Sequence, residues 1–255
     1  MALTSKRAAF FDVDNTLIRG SVIYFLGRGM YQRGYFTKKD ISRFVLANLR
    51  FRLTGKENKE EIQRFQDAAT DFIGGHNVKE IEAIAQEIYD EYVSPAMWQG
   101  TIDIAQALVA EGVEVYLVTA APEDMAVVIA NRLGLTGALG SKAEIKDGTY
   151  TGRMNGPLLH GKEKAIAVTE LAGEKGFDLT QCLAFSDSNN DLPLLQCVGH
   201  PSAINPDALL SLRAMAEGWP IHDFRKARFI GKAISPIVVR LAALGTWLTP
   251  RKRRG

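Results

Sequence analysis

Four aspartates stand where apolar runs give way to polar turns. Asp12 and Asp14 lie in Asp12-Val13-Asp14-Asn15-Thr16, at the end of the apolar run 8–13. Asp187 and Asp191 lie in Ser186-Asp187-Ser188-Asn189-Asn190-Asp191, after the run 182–186. Carboxylates crowded against the end of a buried strand are costly unless a cation or a substrate compensates them. A third run, 113–119, ends in the hydroxyl of Thr119, followed by Ala120, Ala121 and a helix start at Pro122-Glu123-Asp124. In an open parallel sheet the carboxyl ends of the strands form the ligand crevice, so the three clusters are expected to converge there. Carboxylates, a hydroxyl and a helix N-terminus in one crevice describe a hard-cation site beside an anion site. Taken singly, an aspartate fits a turn or a cap, and that suffices for Asp40, Asp103 and Asp178. Three clusters at three strand ends argue for shared chemistry.

The elements that must position these groups show two periodicities. The three runs are short and apolar on both faces, as buried parallel strands are. Between and after them, 101–111 places Ile102, Ala105, Leu108 and Val109 on one face and stops at Gly112. Residues 122–133 stop at Gly134, and 163–172 is followed by Gly173 and Gly176. Strands alternating with helices predict an α/β fold with a parallel sheet covered on both faces. The stretch 142–153, with Asp147-Gly148 at its centre, predicts a β-hairpin. Residues 21–97 are helical in period throughout, with Ile41, Phe44, Val45 and Leu49, then Ile62, Phe65, Ala69 and Phe72, then Ile81, Ile84, Ala85, Ile88 and Tyr92. That block is too long for one crossover and predicts an inserted helical subdomain.

Composition narrows the class. The chain has 255 residues, 46% apolar and 24% charged, which excludes a disordered, fibrous or disulfide-stapled protein. Residues 225–255 hold nine Lys/Arg and no Asp/Glu, leaving 22 basic against 29 acidic residues in the first 224. So acidic a body argues against nucleic acid as a partner. Cys182 and Cys197 lack metal spacing and read as reduced thiols. With neither a signal-peptide pattern nor an apolar stretch of about 18 residues, a cytoplasmic protein is expected. His76, His160, His200 and His222 are scattered without ligand spacing. Gly156-Pro-Leu-Leu-His-Gly161-Lys162 matches the start of a phosphate-cradling P-loop, but Glu163 stands where Ser or Thr must be, so the match is accidental.

Asp12-x-Asp14-x-Thr16, Thr119, a later lysine and Asp187-x-x-x-Asp191 resemble the four ordered motifs of the haloacid dehalogenase superfamily. The insert after the first motif resembles the C1-type cap of its subfamily IB, the phosphoserine-phosphatase-like branch. The resemblance covers residues 8–210. It implies a three-layer, Rossmann-like core made of 1–20 and 98–224 and a helical cap at 21–97, leaving 225–255 as a tail that its own residues mark as basic and amphipathic. It also implies a Mg²⁺-dependent phosphatase that hydrolyses a small phosphomonoester through an aspartyl-phosphate. In that reading Asp12 is the nucleophile and Asp14 the general acid and base. Mg²⁺ is held by the Asp12 carboxylate, the Asp14 carbonyl and Asp187. Thr119 and the amides of Ala120 and Ala121 hold phosphoryl oxygens, Asp191 orients the site, and Thr16 fixes the turn. The motif lysine is Lys162 or Lys164. Two residues apart on a helix is about 200°, so only one can face the crevice. Spacing back from Asp187 favours Lys164, which then counts among the catalytic and phosphate-binding residues.

Two departures from the phosphoserine-phosphatase pattern bear on substrate. Ser21 replaces a Glu that pairs with the substrate's ammonium group, and Thr119-Ala120-Ala121 replaces Ser-Gly-Gly. Phosphoserine is therefore an alternative substrate rather than the favoured one. Arg50 and Arg52 are candidates to meet an anionic substrate or to be solvated. In the tail, Ile230, Ile234, Ile237, Leu241, Leu244 and Leu248 repeat at four- and three-residue spacing, with Lys232, Arg240, Trp247 and the basic run 251–254 beside them. Such a helix, weakened by Pro236, either packs on protein or lies on an anionic membrane through residues 229–255. The partner is accordingly a small phosphorylated metabolite or a phospholipid headgroup such as lysophosphatidate. A regulatory protein on the same fold is the rival from another class, and the complete motif set argues against it.

Overall fold

The computed structural model describes residues 6–35, 37 and 73–225. Its centre is a six-stranded, all-parallel sheet. The strands are β1 (Ala8–Phe11), β2 (Glu114–Pro122), β3 (Gly137–Ser141), β6 (Leu183–Ser186), β7 (His200–Ile204) and β8 (Ile221–His222), in the order β3-β2-β1-β6-β7-β8. The apolar residues of β1 explain its central place. Ala9 and Phe11 enter the core on one side of the sheet, and Ala8 and Phe10 enter the core on the other. All four are fully buried, which an edge strand could not achieve.

Helices complete the outer layers. On the Ala9/Phe11 side lie α3 (Gln99–Ala110) through Ile102, Ala105 and Leu108, and α4 (Glu123–Arg132) through Met125, Val128 and Ile129. On the other side lie α5 (Lys162–Lys175), α6 (Leu192–Gln196) and α7 (Ala208–Glu217), through Val168, Ala172, Leu194, Leu195, Leu210 and Ala214. The chain goes from β1 to β2 and β3 on one side and returns to β6 on the other, so the strand order reverses between β1 and β6. Ligands bind at such a switch point, outside the carboxyl ends of the strands. Asp12 and Asp187 follow the two strands that flank it.

Between β1 and β2, α1 (Val22–Gln32) and α2 (Val78–Ile88) are described, and both bury their apolar faces in the same core as α3 and α4. A π-helical turn, Tyr89–Val93, and a short 3-10 turn at Ser94–Ala96 lead back to the sheet, Pro95 ending the run. The expected stripes from Ile41 to Phe72, with Asp40, Arg50 and Arg52, lie outside the described residues, as does the tail from Lys226 onward. Among the described residues no helix is long and apolar enough to cross a membrane.

The hairpin expected at 142–153 is present as β4 (Ala143–Lys146) and β5 (Thr149–Met154), antiparallel. Its turn residues Asp147 and Gly148 both have positive φ, 51° and 75°, which a two-residue turn between twisted strands requires. The hairpin also fastens the insert. Gly75 donates to the Tyr150 carbonyl at 2.8 Å, Tyr150 to that of His76 at 3.0 Å, and Val78 to that of Gly148 at 3.0 Å.

Gly199 shows how closely the layers meet. A Cβ there would sit 1.8 Å from the Thr180 carbonyl oxygen, and main chain cannot swing aside as a side-chain tip can. Gly199→Ala is therefore expected to destabilise the fold by about 1–3 kcal/mol or more, the cost of overpacking. Urea unfolding followed by far-UV circular dichroism measures it.

Candidate active site

The loop after β1 is shaped by its own backbone. The β1 ladder continues past Phe11, because the Asp12 amide donates to the Phe185 carbonyl at 2.9 Å. Asn15 then takes the left-handed conformation, φ 57°, and its side chain accepts from the Gly20 amide at 3.0 Å. This tight reversal returns the Thr16 hydroxyl toward Asp12, to which it donates at 2.9 Å, and places it 3.3 Å from Asp187. The loop is held from α3 as well, where the Thr101 hydroxyl donates to the Thr16 carbonyl at 2.8 Å. Asp12 is buried, and Asp187 is partly exposed.

Lys164 completes the centre. Its ammonium donates to Asp12 at 2.5 Å and to Asp191 at 2.7 Å, and it is buried with both. Asp191 is held in turn by the Ser186 hydroxyl at 2.8 Å. Lys162 behaves differently: its side chain is 77% exposed and pairs loosely with Glu163. The helix phase thus turns Lys164 into the crevice and Lys162 away from it.

Asp14 lies beside this pair and points toward the insert. Its carboxylate accepts the Val22 amide at 2.9 Å, at the first turn of α1, and a second bond comes from the Ser21 hydroxyl. Thr119 is buried. It lies within β2, because the strand runs on through Pro122 after a register shift against β3, three residues beyond the expected end at Thr119. The Thr119 hydroxyl accepts the Ala121 amide at 3.1 Å. Of the two amides expected to cradle an anion, that of Ala121 is therefore already engaged. Ser141 braces the same strand end, donating to the Ala120 carbonyl at 2.8 Å and accepting the Leu159 amide at 3.0 Å.

The charges do not balance. Four carboxylates surround one ammonium, and burial makes the excess felt. Burial, added to by Asp191 and Asp14, pushes Asp12 up to about 7 despite the pull of Lys164. Burial, with Asp12 and Asp191 nearby, pushes Asp187 up to about 8. Asp14 is raised by burial too, against the hydrogen bonds from Val22 and Ser21. Burial works to lower the Lys164 value, but Asp12 and Asp191 outweigh it and leave the ammonium raised.

Uncompensated oxygen donors of this kind fit a hard divalent cation. Among the described residues no group of three or more His, Cys, Asp and Glu side chains is arranged to hold a metal ion by itself. Mg²⁺ is usually bound through one or two carboxylates, with water and substrate phosphate completing its shell.

The sign of the pKa shifts gives a test. An acid raised in the folded state is protonated there at a pH where the unfolded chain has released its proton. Stability should therefore fall as pH rises from about 4 through 7 and 8, and a bound cation should return it. In EDTA the melting temperature should fall toward pH 8, and Mg²⁺ should raise it far more at pH 8 than at pH 5. Asp187→Asn should melt above the parent in EDTA at pH 8 and lose the Mg²⁺ increment, each kcal/mol being worth roughly 2–4 °C. Differential scanning fluorimetry reads both, and equal Mg²⁺ increments in parent and variant would contradict the assignment.

Sequence reasoning missed Ser141, Ser186 and Thr101, which carry no motif and act through single hydrogen bonds. It also missed Asn205 and Asp207, because the strand before their turn, His-Pro-Ser-Ala-Ile, is too mixed in polarity to read as a buried strand end.

The pattern of haloacid dehalogenase-like hydrolases matches residues 9–196. The chain is 47% identical over 238 residues to a Mycobacterium tuberculosis protein named phosphoserine phosphatase SerB1, covering 93% of this chain and 77% of that one. A solved structure of a Bordetella pertussis protein of unknown function superposes with a TM-score of 0.77 at 27% identity, covering 87% of this chain and 100% of the other. A phospho-aspartyl intermediate analogue of phosphoserine phosphatase shares the fold, with a TM-score of 0.58 at 21% identity over 88% of this chain and 97% of that one. The chain belongs to the haloacid dehalogenase-like hydrolases. Within that family it is phosphoserine-phosphatase-like, an enzyme that hydrolyses phosphomonoesters.

Proposed function

We propose that the protein hydrolyses a small phosphomonoester with the help of Mg²⁺, through an aspartyl-phosphate formed on Asp12. The observation that carries this reading is the Asp12 carboxylate, buried at the end of the central strand and 2.5 Å from the Lys164 ammonium. An Asp12 oxygen attacks phosphorus, and the bond from phosphorus to the alcohol oxygen breaks. Asp14 gives its proton to that oxygen, and the alcohol leaves. Asp14 then takes a proton from water as the water attacks the aspartyl-phosphate, which frees phosphate and regenerates Asp12. Lys164 holds positive charge beside Asp12, and Asp191 positions Lys164. Thr119 and the Ala120 amide receive phosphoryl oxygens. Asp12, the Asp14 carbonyl and Asp187 would hold Mg²⁺, which when bound would supply the positive charge that lets one anion approach another.

The relative named phosphoserine phosphatase supports phosphoserine as a second reading of the substrate. Against it, Ser21 is engaged with Asp14 and offers no anion to an ammonium group. A lysophosphatidate reading, and with it peripheral contact at the inner face of the membrane, rests on the tail, outside the described residues. Phosphate release from phosphoserine, sugar phosphates, nucleotides and lysophosphatidate, in Mg²⁺ and in EDTA, ranks these substrates. Turnover that needs Mg²⁺ supports the reading. A folded protein that stays silent across the panel in Mg²⁺ overturns it and favours a regulatory role.

A further inference from the structure

The three residues after β7 reach three separate parts of the site. Asn205 is buried and left-handed, φ 48°. Its side-chain amide donates to the Asn15 carbonyl at 3.3 Å, inside the nucleophile loop. Its side-chain oxygen accepts the Phe224 amide at 2.7 Å, and its own amide donates to the His222 carbonyl at 2.8 Å. The Pro206 carbonyl accepts from Arg225 at 3.2 Å. The Asp207 amide donates to the Asp187 carbonyl at 2.7 Å. One Asp207 oxygen accepts the Asn189 amide at 2.8 Å, and the other caps α7 at the Leu210 amide, also 2.8 Å.

This turn answers a geometric need. Thr16 and Asp187 meet at 3.3 Å although 171 residues separate them in sequence. A divalent cation shared by Asp12 and Asp187 tolerates little error in that separation. Thr16 touches both carboxylates, but it belongs to one of the loops it would have to align. The turn belongs to neither loop. It grips the nucleophile loop through Asn15 and the second loop through Asp187 and Asn189, and the segment 221–225 holds it in place from outside. The Phe224 ring, seated where Gly100 leaves room for it, fixes that segment on α3.

We infer that Asn205 and Asp207 are positioning residues that set the spacing between the nucleophile loop and the Asp187 loop, and through it the affinity for the divalent cation. The inference rests on the proposed Mg²⁺ reading of the site. It does not require either side chain to touch metal or substrate.

The test uses full-length protein carrying Asn205→Asp, Asp207→Ala or Asp207→Asn. Asn205→Asp keeps the acceptor for Phe224 and the tolerance for a left-handed backbone, but it sets an oxygen against the Asn15 carbonyl. Asp207→Asn keeps an acceptor where Asp207→Ala has none. Mg²⁺ is titrated against melting temperature and, separately, against phosphate release. Asn205→Asp and Asp207→Ala should each raise the half-saturating Mg²⁺ concentration at least about tenfold, as removing a group that orients a metal's ligands does. Asp207→Asn should recover most of that loss. Folded variants whose Mg²⁺ midpoint stays within about twofold of the parent would overturn the inference, leaving the turn as a structural cap. If Asn205→Asp fails to fold, the Asp207 pair decides alone. A parent protein that Mg²⁺ neither stabilises nor activates overturns the metal reading itself, and the inference with it.

Discussion

Asp12→Asn is expected to lower phosphate release by about 10⁴-fold or more, on the scale seen when a covalent nucleophile is removed. The amide oxygen carries no charge, so it cannot displace an alcohol from phosphorus, and no neighbouring group can take its place. Asp14 faces Val22 and Ser21, and Asp191 is already committed to Lys164 and Ser186. The loss should be chemical and not a loss of fold. Burial disfavours the Asp12 charge, so a neutral isostere relieves a cost and the variant should melt no lower than the parent in EDTA at pH 8. Asp14→Asn gives the complementary result. It should retain attack on a substrate with a good leaving group and slow the water step, so that radiolabelled phosphoenzyme accumulates. Label trapped on Asp12→Asn, with none on Asp14→Asn, would refute the assignment of roles.

Lys164→Met is expected to harm both stability and turnover. The ammonium separates two buried carboxylates, and its removal leaves both without a counterion. Breaking a buried pair in this way costs about 3–5 kcal/mol. The cost should shrink at pH 5, where Asp12 takes up a proton, and grow at pH 8. Turnover should fall by about 10²–10³-fold, the usual loss when one preorganised charge-stabilising group is removed. Lys162→Met is the control. Its exposed side chain predicts a change within about 0.5 kcal/mol and unaltered turnover. Paired urea titrations at the two pH values, with phosphate release in Mg²⁺, separate the outcomes. Equal effects at the two lysines would remove Lys164 from the centre.

The strand ends were legible in the sequence because a strand buried on both faces is apolar throughout and an aspartate cuts it off sharply. The hairpin was legible because Asp147-Gly148 meets a strict demand for positive φ. The end of β2 was not. Thr119-Ala120-Ala121-Pro122 reads as the approach to a helix, and only pairing with β3 after a register shift keeps it extended. Spacing back from Asp187 favoured Lys164 over Lys162, and the phase in which α5 packs on the core buries the first and exposes the second. Gly173 looked like a stop, yet α5 runs on to Lys175 and ends where Gly176 turns left-handed, φ 72°. Asn205 and Asp207 stayed hidden for a different reason. Asn-Pro-Asp is ordinary turn chemistry, and which distant loops it grips is decided by a sheet order that spacing does not encode.

The central place of β1 bears on how the protein comes into being. Its second neighbour in the sheet is far away along the chain: Ala8 meets Cys182 across 174 residues. During synthesis at about 5–20 residues per second, that edge of β1 waits roughly 9–35 seconds for its partner. For this interval an apolar strand with an open edge must be kept from pairing with another chain. Sheets dominated by such remote pairings also fold slowly once the chain is complete. Yield in a growing cell should therefore respond to translation rate and to chaperone supply more than the melting temperature of the finished protein would suggest.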